Sequence, residues 1–211
     1  MGKVSVIMPS YLSNYEGGAT NRVEKFTRAV NSFLSQTHQE KELIIVSDGC
    51  LITNGIYKKN YFSFDNIKLV ELNKQPLFSG NVREAGLRVA TGDIIGYLDT
   101  DDEFGINHIK SIDDGFNNNA DCDWVYFNDC VVFLPHLPHI EPATREVKLE
   151  YGTAGTSCIA HKNIDAISWV ESDGYGHDWM FIQKLINCFP DYKKIDGTDY
   201  RVCHIKGSVD C

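Results

Sequence analysis

Three aspartates lie within four residues of the sequence, where together they could bind a metal ion. Asp99, Asp101 and Asp102 follow the apolar run at residues 94–98. Three carboxylates this close repel one another unless a cation or donor groups compensate them. Oxygen ligands suit Mg²⁺ or Mn²⁺, ions that commonly keep water ligands and bridge the phosphates of a nucleotide. The cluster therefore indicates a metal site, although an aspartate-rich turn ahead of a helix would have the same pattern.

The elements that must position these aspartates alternate between short apolar runs and helical patterns. Runs rich in β-branched residues predict strands over 4–8, 43–47, 67–72 and 94–98. Apolar residues at helical spacing predict one helix from Val23 to Leu34, with Thr20 as its N-cap, and a second helix that starts near Ser79. This order is typical of βαβ units, so the sequence predicts an α/β fold. The ligand crevice of such a sheet lies beyond the carboxyl ends of its strands.

The second half of the chain mixes strands with helices and contains one more acidic residue of interest. Apolar patterns predict helices over 106–116 and 179–188 and strands over 124–127 and 130–134. The glycine-rich segment 151–156 leads into a short apolar run, and the tail from residue 192 to 209 is expected either to return to the sheet or to wrap the site. Asp178 precedes the last predicted helix, either as its N-cap or as a carboxylate that accepts a proton in a reaction.

Several short motifs occur in a specific order along the chain. They are VSVIMPSY at 4–11, ELIIVSDG at 42–49, REAG at 83–86 with ATGD at 90–93, IGYLDTDD at 95–102 and GYGHDW at 174–179. Through these motifs nearly the whole chain resembles the family 2 glycosyltransferases with the GT-A fold, except that His177 stands where the family often has Glu. The resemblance implies a single GT-A domain over residues 1–211, with a mixed, mainly parallel sheet flanked by helices. It also implies a nucleotide-binding half over about 1–102 and an acceptor-binding half over about 103–211.

The same resemblance implies a role for each residue of the candidate site. Those expected to bind the nucleotide-sugar donor are Pro9, Ser10, Tyr11, Asp48, Arg83, Asp99 and Asp101. Those expected to hold Mn²⁺ or Mg²⁺ are Asp102, Asp101 and His204. Asp178 would be the general base, and the acceptor would be contacted by Gly155, His177 and Trp179. Structural alternatives stay open, since Pro9 could end a strand, Asp48 could form a turn and Arg83 could make a surface ion pair.

The implied reaction is an inverting transfer of a sugar from a nucleoside-diphosphate donor, with UDP favoured, to a hydroxyl group of a glycan or glycoprotein. The base would take the acceptor's proton while the metal stabilises the leaving diphosphate. Two alternatives remain. A noncatalytic nucleotide-sugar-binding module would dispense with Asp178. A nucleotidyltransferase would normally carry a glycine-rich, basic phosphate loop after its first strand, for which Gly17 and Gly18 are a weak substitute.

Composition restricts the class of protein further. The net charge of -9, from 29 acidic and 20 basic residues, argues against a nucleic-acid or anionic-membrane partner, since both favour clustered Lys and Arg. No apolar run approaches the roughly 20 residues that span a bilayer. Seven cysteines without a CxxC pair argue against a disulfide framework, in agreement with an expected cytoplasmic location. The polar end of the chain is compatible with further domains in a longer natural protein.

Overall fold

The computed structural model describes residues 2–15, 20–75, 79–133, 143–170, 172 and 174–204. The strands are β1 (Val4–Ser10), β2 (Lys41–Asp48), β3 (Ile67–Leu72), β4 (Ile94–Tyr97), β5 (Glu103–Phe104), β6 (Trp124–Tyr126), β7 (Asp129–Phe133), β8 (Ala143–Arg145), β9 (Ile159–Lys162), β10 (Tyr192–Lys194) and β11 (Tyr200–His204). The helices are α1 (Arg22–Leu34), α2 (Leu51–Asn60), α3 (Gly80–Leu87), α4 (His108–Asn118) and α5 (His177–Cys188). None of these described helices has the length and apolar character that crossing a bilayer requires.

Seven strands form the central sheet, in the order β10-β6-β9-β4-β1-β2-β3. Strands β4, β1, β2 and β3 are parallel, and so are β10 and β6, whereas β9 runs antiparallel to both β4 and β6. Apolar residues of α1, α3, α4 and α5 are buried with those of the sheet in one hydrophobic core. The predicted single α/β domain, with a mixed and mainly parallel sheet flanked by helices, is therefore confirmed.

The parallel register brings several motifs to the same edge of the sheet. Ser10, the last residue of β1, pairs with Ser47, and Asp48, the last residue of β2, pairs with Leu72. Strand β4 ends at Tyr97, which pairs with Ile7. The segments after β1, β2 and β4 therefore all leave the sheet at its carboxyl edge, where the ligand crevice of an open α/β sheet lies.

A second sheet of four strands borders the acidic loop, in the order β5-β11-β7-β8. Strand β5 begins directly after Asp102 and pairs antiparallel with β11, so that Tyr200 lies beside Phe104. Strand β11 is parallel to β7, and β7 is antiparallel to β8. The loop after β4 is thereby held between the central sheet and this smaller sheet.

The predicted strands and helices differ from the observed ones by a residue or two at their ends. Helix α1 begins at Arg22, so its N-cap is Asn21 and the prediction of Thr20 was wrong. Helix α2 has no counterpart in the sequence prediction, because Thr53 is its only buried residue and Leu51 is 84% exposed. An amphipathic period cannot be recognised in such a helix. Strands β5 and β8 are too short to show one.

Gly86 allows α3 to pack closely on the sheet, at the helix that carries Arg83. A Cβ atom added to Gly86 would lie 2.6 Å from Ile7 Cγ2 and 3.0 Å from Val46 Cγ2. Both contacts involve buried β-branched side chains that have few alternative positions. A larger residue would therefore push α3 away from the sheet and move Arg83 with it.

We expect Gly86→Ala to lower the free energy of unfolding by about 1–3 kcal/mol, the usual cost of an overpacked core. The matched control is Gly55→Ala in the exposed part of α2, where an added Cβ meets nothing within 4 Å. That change should stabilise the protein by about 0.5–1 kcal/mol, since alanine loses less backbone entropy in a helix. Urea unfolding of both variants checks this; equal stability of the two would contradict the packing argument.

Candidate active site

The acidic loop after β4 is fixed by the buried hydroxyl group of Tyr200. Asp102 is 7% exposed, and each of its carboxylate oxygens has a donor. The Cys203 backbone N–H donates to Oδ1 at 2.9 Å, and the Tyr200 hydroxyl donates to Oδ2 at 2.9 Å. The same hydroxyl oxygen accepts the backbone N–H of Asp99 at 3.1 Å. One side chain therefore ties the two ends of the loop together.

Negative charge is crowded in this loop. Burial raises the pKa of Asp102 well above its usual value, and the charges of Asp101 and Asp99 raise it further. Burial also raises the pKa of Asp99, and this effect outweighs the opposing influence of Arg83. The pKa of the buried Tyr200 hydroxyl is raised as well, so that it stays protonated and can donate. A loop with this surplus of negative charge favours a bound cation.

The neighbouring carboxylates of Asp101 and Asp102 are oxygen ligands of the kind that a divalent cation prefers. Among the described residues, no group of three or more His, Cys, Asp or Glu side chains is arranged to enclose a metal ion. A Mg²⁺-like ion does not require such a cage, because one or two carboxylates usually hold it together with water and substrate phosphates. The backbone of His204 lies in β11, but its side chain lies outside the described part of the chain, so its role stays a prediction.

Tyr200→Phe should loosen this loop without removing a charge. Asp102 Oδ2 loses its donor and the Asp99 N–H loses its acceptor, which should cost about 1–3 kcal/mol of stability. We expect the affinity for Mn²⁺ in the presence of UDP to fall about 10- to 100-fold, as when supporting bonds to a metal ligand are lost. Tyr192→Phe, in the half-buried ring stacked on Trp124, is the control. Isothermal titration that finds equal Mn²⁺ affinity in both variants would contradict the role of Tyr200.

Arg83 connects the acidic loop to Asp178. Its guanidinium, on a residue that is 2% exposed, donates from Nη2 to Asp99 Oδ1 at 2.7 Å and from Nη1 to Asp178 Oδ1 at 3.3 Å. It also donates to the hydroxyl of Thr156 at 3.2 Å and to the hydroxyl of Ser79. Burial alone would lower the pKa of Arg83, but the two carboxylates outweigh it and raise the pKa. Arg83 is therefore a buried, fully charged link and not a surface ion pair.

Asp178 lies in the first turn of α5, with its carboxylate against two nitrogen-bearing side chains. The N-cap of α5 is Gly176, so the alternative of Asp178 as the N-cap is wrong. His177 Nε2 lies 2.9 Å from Asp178 Oδ1. Burial by itself would raise the pKa of Asp178, but Arg83 and His177 outweigh it and lower the pKa to about 2. This carboxylate, whose side chain is 30% exposed, is ionised at neutral pH and can accept a proton.

Ser79, His177 and Asp178 meet without forming a nucleophilic triad. The Ser79 hydroxyl oxygen lies 3.1 Å from His177 Nε2, which is also the nitrogen that faces Asp178. The other ring nitrogen, Nδ1, faces the Gly174 carbonyl at 3.2 Å. A triad needs the serine and the carboxylate at opposite ring nitrogens, so this arrangement does not activate Ser79 as a nucleophile.

Asp48 and Tyr11 come together at the carboxyl edge through Lys74. Asp48 is 6% exposed and accepts Lys74 Nζ on Oδ2 at 2.5 Å and the Gln75 backbone N–H on Oδ1 at 2.6 Å. The same ammonium group lies 4.7 Å from the centroid of the Tyr11 ring. A nucleotide base that binds Asp48 must therefore share this carboxylate with Lys74 or displace it.

The other two predicted donor contacts lie at the end of β1. Ser10 is 2% exposed, and its hydroxyl is 2.9 Å from that of Thr53 in α2. Pro9 lies inside β1, in register with Val46, and is half-buried. Their part in donor binding stays a prediction, and the pairing of Ser10 with Thr53 also explains how α2 is held at this edge.

The predicted acceptor residues lie next to Asp178 in space or in sequence. A Cβ added to Gly155 would lie 3.6 Å from Asp178 Oδ2, so glycine leaves space beside the carboxylate. His177 and Trp179 flank Asp178 in α5, and Trp179 is half-buried against the core. The structure therefore places Gly155 and His177 beside the Asp178 carboxylate, with Trp179 next to it in the helix, and the contact of these residues with an acceptor stays a prediction.

Three residues of this arrangement have no place in the sequence prediction: Tyr200, Thr156 and Lys74. A tyrosine in a strand is a weak signal for Tyr200, because a buried hydroxyl usually has a partner. Thr156 begins a short 3-10 turn and Lys74 lies in an irregular segment, and their partners Arg83 and Asp48 are distant in sequence. No local pattern could have identified them.

Comparison with known proteins identifies the family that this chain resembles. A model described as Glycosyl transferase family 2 matches residues 5–189. An uncharacterized glycosyltransferase of Nostoc sp. is 31% identical over 152 residues, which cover 66% of this chain and 38% of that protein. The glucosyl-dolichyl phosphate glucuronosyltransferase of Haloferax volcanii is 28% identical over 132 residues, covering 58% of this chain and 40% of that protein. This chain thus matches about two fifths of the length of these relatives.

Solved structures share the fold at lower identity. TarS of S. aureus, in complex with UDP-GlcNAc, has a TM-score of 0.70 at 19% identity, over 99% of this chain and 60% of that one. The mannosyltransferase PcManGT of Pyrobaculum calidifontis, in complex with GDP-Man and Mn²⁺, has a TM-score of 0.68 at 14% identity, over 99% of this chain and 59% of that one. At these identities the likeness establishes the GT-A fold alone.

Proposed function

The chain belongs to glycosyl transferase family 2, and from that premise we propose an inverting, metal-dependent transfer of a sugar from a nucleoside-diphosphate donor to a hydroxyl group of a glycan. The observation that carries this proposal is the pair of carboxylate sites joined by Arg83. Asp178 is held ionised on one side of the guanidinium, and the acidic loop that begins at Asp99 lies on the other. Donor and acceptor could meet between them.

The reaction is a single displacement at the anomeric carbon of the donor sugar. The acceptor oxygen forms a bond to that carbon while the bond from the carbon to the diphosphate oxygen breaks, and the diphosphate leaves with the electron pair. The acceptor's proton passes to Asp178, whose ionised carboxylate is the only proton acceptor that this step requires. One displacement inverts the anomeric configuration. Arg83 keeps Asp178 ionised before the acceptor binds, but a pKa of about 2 also makes this carboxylate a weak base. The proton is therefore expected to move only as the new bond to the anomeric carbon forms.

Mn²⁺ or Mg²⁺ is proposed to bind at Asp101 and Asp102, with His204 as a further ligand. When bound, the ion would supply positive charge to the leaving diphosphate. The surplus negative charge of the loop supports this assignment, as does the Mn²⁺ in the PcManGT complex. The bonds from Tyr200 and Cys203 hold the Asp102 carboxylate in one orientation and leave each oxygen a second lone pair for a ligand.

A UDP-sugar is the favoured donor, with its base near Asp48 and Tyr11. The UDP-GlcNAc in the TarS complex supports a UDP-sugar, whereas PcManGT binds GDP-Man, so GDP-sugars are the alternative to test. Lys74 lies between the Asp48 carboxylate and the Tyr11 ring, where a base would have to enter. We further propose a nucleotide-binding half over about 1–102, an acceptor-binding half over about 103–211, a glycan or glycoprotein acceptor, a cytoplasmic location and additional domains in the natural protein.

A donor screen tests this function. Purified protein is incubated with UDP- and GDP-sugars and Mn²⁺, Mg²⁺ or EDTA, and nucleotide release is followed for wild type, Asp102→Asn, Asp178→Asn and the control Asp114→Asn in the exposed part of α4. We expect release of one nucleotide that needs metal, is lost in the two site variants and is kept in the control. Donor binding without turnover, unaffected by Asp178→Asn, would favour the noncatalytic binding module instead.

A further inference from the structure

Arg145 is held in place by a fully buried carboxylate at the start of β7. Asp129 is 0% exposed and lies opposite Arg145 in the β7–β8 ladder. Its Oδ1 accepts Arg145 Nε at 2.8 Å, and its Oδ2 accepts Arg145 Nη2 at 2.5 Å. The Ser157 hydroxyl also donates to Oδ2 at 2.8 Å. This two-point contact fixes the plane of the guanidinium.

One edge of this guanidinium remains available. Within the described residues, the third nitrogen of Arg145, Nη1, has no hydrogen-bond partner, and 39% of the side chain is exposed. An arginine keeps its charge throughout the physiological pH range, and its planar fork matches phosphate oxygens. Ordering a long, charged side chain in this way costs conformational entropy. A buried carboxylate that holds the group ready is typical of a built binding site.

The elements that hold Arg145 connect it to both the acidic loop and the Asp178 side of the site. Ser157 belongs to the 3-10 turn Thr156–Cys158, whose Thr156 hydroxyl accepts a hydrogen bond from Arg83. On the other side, strand β11 places the Cys203 N–H against Asp102 and pairs along β7, the strand that begins with Asp129. The hydrogen bonds from Asp129 raise the pKa of Arg145, and the charge of Asp102 adds to this effect.

We propose that Arg145, oriented by Asp129, binds a phosphate oxygen of the donor's diphosphate and stabilises it as a leaving group. This role rests on the proposed function. A fixed positive charge beside a departing diphosphate stabilises the charge that develops during transfer. The position of Arg145 towards Asp102, the proposed metal ligand, favours the diphosphate over a group on the acceptor. Asp129 acts through Arg145 and is a positioning residue.

A comparison of UDP with uridine tests this role, because UDP carries the diphosphate and uridine does not. Arg145→Gln should weaken UDP binding about 10- to 100-fold, the effect of losing a charge-assisted hydrogen bond, and should change uridine binding less than about twofold. Arg201→Gln is the matched control, because Arg201 has a 37% exposed side chain and contacts Asp199 at 2.9 and 2.8 Å in the same sheet. Titration calorimetry measures the affinities of wild type and of both variants for UDP and for uridine, once with Mn²⁺ and once with EDTA. GDP and guanosine serve as a second pair of ligands.

Equal UDP affinity of wild type and Arg145→Gln would overturn the proposal, even if the KM of the acceptor changed. Arg145→Lys keeps the positive charge beside Asp129 but loses the forked geometry of the guanidinium. Its UDP affinity should therefore lie between those of wild type and Arg145→Gln. This variant replaces Arg145→Gln in the test if the Gln variant unfolds. Thermal unfolding identifies such a loss of fold. Wild type that binds neither UDP nor GDP and hydrolyses no donor would instead overturn the proposed function, and this role with it.

Discussion

Asp178→Asn is expected to lower kcat about 10²- to 10⁴-fold, the usual contribution of a positioned general base. Asparagine has nearly the same shape as aspartate, and Arg83 keeps its contact with Asp99 at 2.7 Å, so the site should stay folded. Donor affinity should change less than about threefold, because Asp178 is proposed to act on the acceptor's proton. Initial rates at saturating donor and acceptor, together with calorimetric UDP binding, measure the two quantities separately.

The control for this experiment is Asp114→Asn, which removes a carboxylate paired with Lys110 on the exposed side of α4. It should leave both kcat and donor affinity unchanged. Wild-type rates in Asp178→Asn would show that another group accepts the proton. A joint loss of donor affinity and kcat would mean that Asp178 contacts the donor.

The sequence predicts the sheet and its carboxyl edge because apolar periodicity reports burial. Four parallel strands, three of them followed by polar or acidic residues, were enough to place Asp48 and the acidic loop at one edge. Helix α2 could not be predicted in this way because it is mostly exposed. Strands β5 and β8 could not be predicted either, because two or three residues show no period. Apolar periodicity therefore identifies only those helices and strands that bury one face in the core.

The contacts within the candidate site could not be predicted from residue types alone. Asp48 is predicted to meet a nucleotide base, yet its oxygens are occupied by Lys74 and by a backbone N–H 27 residues away. Arg83 has an expected place near the donor, but nothing in its helix indicates that it contacts Asp99 and Asp178 at once. Such contacts depend on how α3, α5 and the loops pack, and this information is spread over the whole chain.

The contacts of His177, at the position where the family often has Glu, could not be predicted from the sequence either. Its charge cannot be inferred from the motif, and neither can its partners. In the structure its Nε2 is 3.0 Å from Arg83 Nη1 and 2.9 Å from Asp178 Oδ1. The imidazole therefore belongs to the cluster that keeps Asp178 ionised. A glutamate here would add a second negative charge beside the proposed base.

Arg83→Gln should move the pH dependence of transfer and weaken the fold together. In wild type the pKa of Asp178 is about 2, so the base is ionised above about pH 3. Without the Arg83 charge, burial and the nearby Asp99 carboxylate raise the pKa of Asp178, since two close carboxylates without a cation resist ionisation. The ionised fraction of the base then begins to fall at a higher pH than in wild type, so kcat/KM should decrease more steeply between pH 8 and pH 4 than it does in wild type.

Arg83→Lys provides the matched control, because it retains the positive charge and loses only the forked geometry. It should show a smaller change in pH dependence than Arg83→Gln. Arg83→Gln should also lose about 2–3 kcal/mol of stability at pH 7. This loss is smaller than for a fully buried ion pair, because the side chains of Asp99 and Asp178 are 33% and 30% exposed. This loss should shrink as pH falls, since protonation of either carboxylate removes the uncompensated charge. A pH profile of Arg83→Gln that parallels the wild-type profile would show that Arg83 does not control the ionisation of Asp178.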